Sequence, residues 1–217
     1  MAVFLKNIFF SINYLLFLIP SIFIICTYNK IPLHLWMNGM VQPILNPFFI
    51  GVTALGDGLF TLVVVLILAF FSLRSSFAAL LGYLLSASLA QTLKYLFFDK
   101  VERPALRFEE LHLPLQLVWD DNLIHHSFPS GHATAAFSLF FILAFLAKNN
   151  YQKAFCFYLS VLIAFSRVYL SQHFFEDVVA GSAIGIVCAW LSIYFIYFSS
   201  SQNRFSILNK PLYSFKK

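Results

Sequence analysis

Six apolar stretches, at about 8–27, 52–73, 76–98, 132–147, 152–171 and 177–198, occupy more than half of this 217-residue chain. Roughly 20 apolar residues are what a helix needs to cross a hydrocarbon layer about 30 Å thick. In lipid the backbone satisfies its own N–H and C=O groups only as a helix or a closed barrel. Charged residues make up 11% of the chain, against about 25% in soluble domains, so there are too few polar groups to cover a water-facing surface. Hydrophobic residues reach 60% and mean hydropathy is +0.82. Intrinsic disorder, a collagen-like fibre and a disulfide-stapled secreted domain are excluded together. The expected fold is all-α and polytopic: a six-transmembrane-helix bundle forming one membrane-embedded domain over residues 1–217. The first run is followed by no clear small-x-small cleavage site and is read as an uncleaved span. Gly51, Gly56 and Gly58 blur the start of the second. The segment 29–50, with Pro32, Trp36, Pro43 and Pro47, is expected to lie along the membrane interface. Cys26, Cys156 and Cys188 sit in apolar runs, and an odd count implies no disulfide framework.

Six spans put both termini on one side. That side carries Lys6, Arg74, Lys148, Lys153, Arg204, Lys210, Lys216 and Lys217, eight basic residues with no acidic one. The other carries six basic residues, Lys30, Lys94, Lys100, Arg103, Arg107 and Arg167, together with all nine acids. The positive-inside rule then assigns the termini to the cytoplasm and the loop at 99–131 to the outer face. The net charge of +5 is not gathered into a basic tract, so no nucleic acid is expected as a partner.

Three short stretches on the outer side break the Phe/Leu background: LKYLFFDKVERP (93–104), FPSGHATAAF (128–137) and SRVYLSQHFFEDVVAG (166–181). Each falls at the end of a predicted span, so all three can converge at one membrane depth. His173 and Asp177 are four apart, one turn on a helix face. A carboxylate there holds one ring nitrogen and leaves the other free to attack, although the same two residues also suit an interfacial capping pair. Arg167 supplies a forked, permanently charged donor for phosphate oxygens. Pro129-Ser130-Gly131 reads as a turn opening the fourth span, with Ser130 near the N-cap. Helix N-termini bind anions, Gly131 permits close approach to the main chain, and His132 falls in the first turn, where a general acid is useful. Taken alone these are also ordinary capping residues. Lys94 and Arg103 add two cations, which singly read as a snorkelling lysine and a loop arginine. Together the stretches hold three cations, two histidines, a carboxylate and a helix N-terminus. That set suits a tetrahedral dianion whose transition state is stabilised by fixed positive charge.

The three stretches resemble the signature of the type 2 phosphatidic acid phosphatase superfamily, the integral-membrane lipid phosphate phosphatases. Its pattern is Lys-x6-Arg-Pro, then Pro-Ser-Gly-His, then Ser-Arg-x5-His-x3-Asp. Pro129-Ser130-Gly131-His132 is intact, and Ser166-Arg167, His173 and Asp177 match in type and spacing. The order agrees, and the matching region is 94–181. The first motif departs: eight residues, not six, separate Lys94 from Arg103. Lys100 is the substitute donor should Lys94 point elsewhere. The resemblance implies that His173 attacks phosphorus to form a phosphohistidine, with Asp177 orienting its ring. It implies that His132 protonates the leaving oxygen and later activates water. Lys94, Arg103, Ser130, Gly131 and Arg167 are expected to hold the phosphoryl oxygens, with no metal and no cofactor. The expected partners are a lipid phosphate substrate and membrane lipids, with no obligate protein partner evident. Candidate substrates are undecaprenyl pyrophosphate, phosphatidylglycerophosphate, phosphatidic acid and lipid A. The expected location is a bacterial inner membrane, multi-pass, with the site facing the periplasm.

A phosphotransferase passing the group to another lipid would use the same site. A transporter would instead place charges in mid-span, and a vanadate-dependent haloperoxidase would be soluble. His125 and His126, near Asp120 and Asp121, are not expected to hold a metal, because adjacent histidines point apart. Asp57 is expected to cap a helix, His34 to be interfacial, and Trp36, Trp119 and Trp190 to anchor or pack against lipid. His112, Glu109 and Glu110 share the outer loop without an assigned role.

Overall fold

The apolar runs fold as helices. A computed structural model describes Val3, residues 6–118 and residues 124–198. Asp120, Asp121, Trp119, Arg204, Lys210, Lys216 and Lys217 lie outside the described residues. Among those described there are nine α-helices and no strand: α1 (Ile8–Thr27), α2 (Lys30–Asn38), α3 (Asn46–Ala54), α4 (Gly58–Phe71), α5 (Leu73–Leu96), α6 (Pro104–Glu110), α7 (Gly131–Leu146), α8 (Asn150–Tyr169) and α9 (Phe175–Ile193), the last extended by a π turn over Tyr194–Phe198. Short polar side chains mark several starts by accepting backbone N–H groups that a first helical turn leaves unpaired. Asp57 Oδ1 accepts from Leu59 N at 2.8 Å, Ser72 Oγ from Ser75 N at 3.3 Å, and Asn149 Oδ1 from Gln152 N at 2.9 Å.

Among the described residues three helices are long and apolar enough to cross a membrane: Ile8–Thr27, Leu73–Leu96 and Phe175–Phe198. A bent helix pair passes the same test only when its two halves are taken together. The stretch expected over 52–73 begins earlier, at Asn46, and consists of α3 and α4 bent by 53° at the break over residues 55–57. Gly56 and Gly58 flank Asp57 there. Gly56 has to be small, because a Cβ on it would lie 2.7 Å from Ile163 Cγ2 and 3.2 Å from His132 Cβ. The expected fourth and fifth spans coincide with α7 and α8, but neither has the length and apolarity of a free-standing crossing. The count of six therefore does not rest on length and hydropathy. The helix α7 is short, with sixteen residues of which twelve are buried within the bundle, and α8 is long enough but less apolar. Large apolar side chains turn outward on α1 and α4, among them Leu16, Phe23, Leu59 and Phe71.

Helices in lipid associate by close packing and by polar contacts, not by escape from water. On α9, Gly181 and Gly185 are one turn apart and face α7. A Cβ on Gly181 would lie 2.6 Å from the Ser130 carbonyl oxygen, and one on Gly185 would meet the Thr134 carbonyl. The α9 backbone thus rests on the first turns of α7. Aromatic edges fill the other side, with Phe10 against Phe141 and Phe157 at centroid separations of 5.2 and 5.4 Å. Asn7 donates to the Phe141 carbonyl at 3.0 Å, and the Tyr14 and Ser182 hydroxyls meet at 3.1 Å. Gly181→Ala is expected to overpack this crossing and lower stability by about 1–3 kcal/mol, read as a lower thermal midpoint in detergent.

The charge segregation is visible in the packing. Lys153 Nζ donates to the Lys6 carbonyl at 2.7 Å, Lys6 sits over the Phe145 ring, and Arg74 donates to the Ile196 carbonyl at 2.8 Å. One end of the bundle therefore collects Lys6, Arg74 and Lys153. Segment 29–50 carries α2 and the start of α3. His34, expected at the interface, is instead 1% exposed, enclosed by Phe108 and Phe174, and burial pushes its imidazole down to about 4. Trp36 on the same helix is exposed, as an interfacial anchor requires.

Candidate active site

The opposite end of the bundle brings together the C-termini of α5 and α8, the N-termini of α7 and α9, and two segments of the loop. Arg103 N donates to the Ile124 carbonyl at 2.8 Å, and Ser127 N to the Val101 carbonyl at 3.0 Å. These two rungs hold 101–103 beside 124–127. The eight-residue interval between Lys94 and Arg103 is taken up by turns, with Phe98 N reaching back to the Leu93 carbonyl and Val101 N to that of Phe98. Lys94 points inward: its Nζ donates to the His126 carbonyl at 3.0 Å and the residue is buried. Lys100 is exposed and lines a surface recess with Lys30, Glu102 and Arg107. Arg103 is buried, donating to the His125 carbonyl at 3.2 Å and to Gln172 Oε1 at 3.0 Å. Arg167, in the last turn of α8, donates to Thr53 Oγ1 at 2.8 Å.

Ser130 is the N-cap of α7. Its hydroxyl accepts from Ala133 N at 3.4 Å, and its own N–H donates to the Asp177 carbonyl at 3.0 Å. That last bond ties the start of α7 to the first turn of α9. Gly131 opens the helix, and a Cβ built on it would meet nothing within 4 Å. Packing of the protein against itself therefore does not demand glycine there; the space beside its Cα is open. Such a cradle, positive by the helix dipole, suits an anion. His132 follows in the first turn, flanked by Gly56.

The His173–Asp177 pair differs from its expected form. The two do not share a helix face, because α9 begins at Phe175 and His173 lies in the bend before it. Asp177 occupies the first turn and folds back: Oδ2 accepts from Phe174 N at 2.9 Å and from the Ser127 hydroxyl at 2.6 Å, and lies 3.4 Å from His173 Nδ1. Ser127 Oγ is itself 3.4 Å from Nδ1. The carboxylate thus faces Nδ1 and leaves Nε2 for chemistry. Burial, and after it the charges of Arg103, Lys94 and Arg167, hold the His173 imidazole well below its ordinary range. It is neutral at pH 7, the form that can attack. His132 acts on it electrostatically as well, so the two rings and three cations form one cluster.

All eight residues singled out in the sequence, Lys94, Arg103, Ser130, Gly131, His132, Arg167, His173 and Asp177, come to this end of the bundle. Three further ones were not legible. Ser127 stands two residues before Pro129, and its hydroxyl next to a motif was the available signal. Gln172, within the third stretch, orients Arg103. Thr53 comes from a distant segment and carried no signal. Among the described residues no group of three or more His, Cys, Asp and Glu side chains is placed to hold a metal ion. The groups around the open cradle are cationic and suit an anion directly.

The sequence model of the PAP2 superfamily matches residues 75–201. A curated relative, the lipid A 4'-phosphatase of Porphyromonas gingivalis, is 25% identical over 162 residues, covering 71% of this chain and 67% of its own. Among solved structures, the crystal structure of Aquifex aeolicus LpxE is similar with a TM-score of 0.68 and 29% identity, covering 78% of this chain and 98% of that one. The transmembrane PAP2-type phosphatidylglycerolphosphate phosphatase of Bacillus subtilis is similar with a TM-score of 0.58 and 26% identity, covering 88% and 95%.

Proposed function

The chain belongs to the PAP2 superfamily and is a membrane-embedded lipid phosphate phosphatase, and from that premise we propose that it hydrolyses a phosphomonoester of a lipid A-type glycolipid through a phosphohistidine on His173. One observation supports the mechanism: Lys94, Arg103 and Arg167 are buried at the same end of the bundle as His132 and His173, beside the N-terminus of α7. In the first step His173 Nε2 attacks phosphorus, the P–N bond forms and the P–O bond to the lipid breaks. His132 gives a proton to the departing lipid oxygen. In the second, His132 takes a proton from water, the oxygen attacks phosphorus, the P–N bond breaks and inorganic phosphate leaves. Asp177 and Ser127 hold Nδ1 throughout. The three cations, Ser130 and the Gly131 amide bind the phosphoryl oxygens, whose charge spreads in a loose transition state. The mechanism uses no metal, since fixed protein charge stands where a metal would otherwise act.

The choice of lipid draws on the relatives. The curated one bears the name of a lipid A phosphatase, and phosphatidylglycerophosphate is the second candidate because of the Bacillus subtilis structure. A site among helix ends favours substrates whose tails remain in the bilayer while the phosphate enters. The basic residues Lys6, Arg74, Lys148 and Lys153 at the other end support an orientation with that end in the cytoplasm and the site on the outer face of a bacterial inner membrane. The test is phosphate release in detergent from lipid A, phosphatidylglycerophosphate, phosphatidic acid and undecaprenyl pyrophosphate, with chelator present. Release of inorganic phosphate, fastest from lipid A, is expected. Activity that disappears with chelator and returns with magnesium or zinc overturns the metal-free mechanism. Loss of lipid phosphate without inorganic phosphate makes the protein a phosphotransferase instead.

A further inference from the structure

The chain leaving α8 closes a Schellman motif: Ser171 N donates to the Val168 carbonyl at 2.9 Å and Gln172 N to the Arg167 carbonyl at 2.9 Å. His173 N reaches the same Arg167 carbonyl at 3.2 Å, so the residue that binds phosphate and the residue that attacks it sit on one helix cap. The position that turns the chain is Ser171, at φ 54°. Glycine is the usual occupant of such a position, because a Cβ is disfavoured there. A serine in its place implies that the hydroxyl is used. Its Oγ lies 3.2 Å from His34 Nε2 and 3.1 Å from Asn38 Nδ2, and all three residues are buried.

His34 and Asn38 are one turn apart on α2 and present one face to this hydroxyl. The His34 ring is fixed between Phe108 and Phe174, at centroid separations of 5.5 and 5.3 Å, and Phe174 is the residue after the nucleophile. Asn38 is anchored on its far side, donating to the Gln116 carbonyl and accepting from Gln116 N, each at 2.9 Å. None of these three is among the groups assigned to phosphate. We infer that His34 and Asn38 are positioning residues which, through the Ser171 hydroxyl, hold the His173 loop of the phosphatase in its attacking geometry. This rests on the reading of His173 as nucleophile. Small displacements of a nucleophile cost rate steeply, whereas phosphate binding by Lys94 and Ser130 does not pass through this contact.

Ser171→Gly separates the hydroxyl from the backbone, because glycine keeps the turn and relieves its strain. The variant should fold with an unchanged or higher thermal midpoint, while kcat on lipid A (or the panel lipid turned over fastest) falls about tenfold and KM stays within twofold. His34→Leu should lower kcat by a similar factor, with His34→Gln restoring part of it. The double variant Ser171→Gly/His34→Leu should be no slower than either single one, since both delete the same contact. Wild-type kcat in Ser171→Gly overturns the inference, as does a double variant in which the two losses multiply. His173→Ala, run in parallel, distinguishes the failures. If it is inactive and Ser171→Gly is unimpaired, the positioning role alone falls. If it is active, the nucleophile assignment falls and the positioning role with it.

Discussion

His173→Ala will leave a folded membrane protein whose phosphate release is reduced by roughly 10⁴-fold or more, the scale of loss seen when an enzyme's nucleophile is removed. Folding survives because the strong bonds at this corner do not use the imidazole. Asp177 Oδ2 keeps the Ser127 hydroxyl at 2.6 Å and the Phe174 N–H at 2.9 Å, whereas its distance to His173 Nδ1 is 3.4 Å. On the proposed mechanism the three cations and the helix terminus are left in place to bind substrate, so KM should change little while kcat collapses. The unaltered protein, quenched during turnover, should carry an acid-labile phosphate that the variant lacks. The pH profile of the unaltered protein bears on the same point. The folded environment holds the His173 imidazole well below 6.5, mainly by burial. The neutral, nucleophilic form therefore persists as pH falls through the value at which an exposed histidine becomes half protonated, and kcat/KM should show no loss from His173 protonation there. Substantial turnover by the purified, folded variant would remove His173 as the attacking group.

Local chemistry was read well from the sequence where a side chain acts on its immediate neighbours. Ser130 before a glycine and an apolar run capped α7, and Asp57 between two glycines capped α4, because a short acceptor at a helix start answers N–H groups only two or three residues away. The expected site residues come to one end of the bundle for a similar reason: apart from Arg103, which the loop carries back, each sits within about a turn of the end of an apolar run. Two kinds of fact were out of reach. Hydropathy does not distinguish an apolar face turned to lipid from one turned to protein, so α7 and α8 read as ordinary spans although α7 is largely enclosed. The bend between α3 and α4 was signalled only as a blurred start at Gly56-Asp57-Gly58, because those residues mark a break without giving its angle. The second kind is contact across distant segments. Thr53 on Arg167 and His34 on Ser171 join residues 114 and 137 positions apart, and nothing local to either partner announces the other. His173 and Asp177 show the middle case. Their proximity was legible from a spacing of four, but the geometry is a helix cap and not a helix face, because α9 begins only after Phe174.

That capping geometry makes Asp177→Asn nearly as damaging as loss of the nucleophile itself. Asp177 Oδ2 faces three donors, the Ser127 hydroxyl, the Phe174 N–H and His173 Nδ1, while Oδ1 is buried with no hydrogen-bond partner among the described residues. An asparagine has to place an NH₂ group at one of these two positions. With its oxygen toward the donors, the NH₂ occupies the Oδ1 position and is a buried donor without an acceptor, at a cost of about 1–3 kcal/mol. With the amide reversed, the NH₂ meets the Phe174 N–H and points a donor at Nδ1. The imidazole then accepts through Nδ1 and carries its proton on Nε2, the nitrogen that must attack. The first arrangement keeps the tautomer but loses the carboxylate charge that stabilises the ring as it bonds to phosphorus; the second reverses the tautomer. A comparable change in a His–Asp pair lowers kcat by about 10⁴, and a loss of that size with KM nearly unchanged is the expected result, together with a modestly lower thermal midpoint. Asp177→Asn that folds and retains kcat within tenfold of the unaltered protein would show that the carboxylate is a helix cap and nothing more. The attacking ring would then have to be oriented by Ser127, whose Oγ is 3.4 Å from Nδ1.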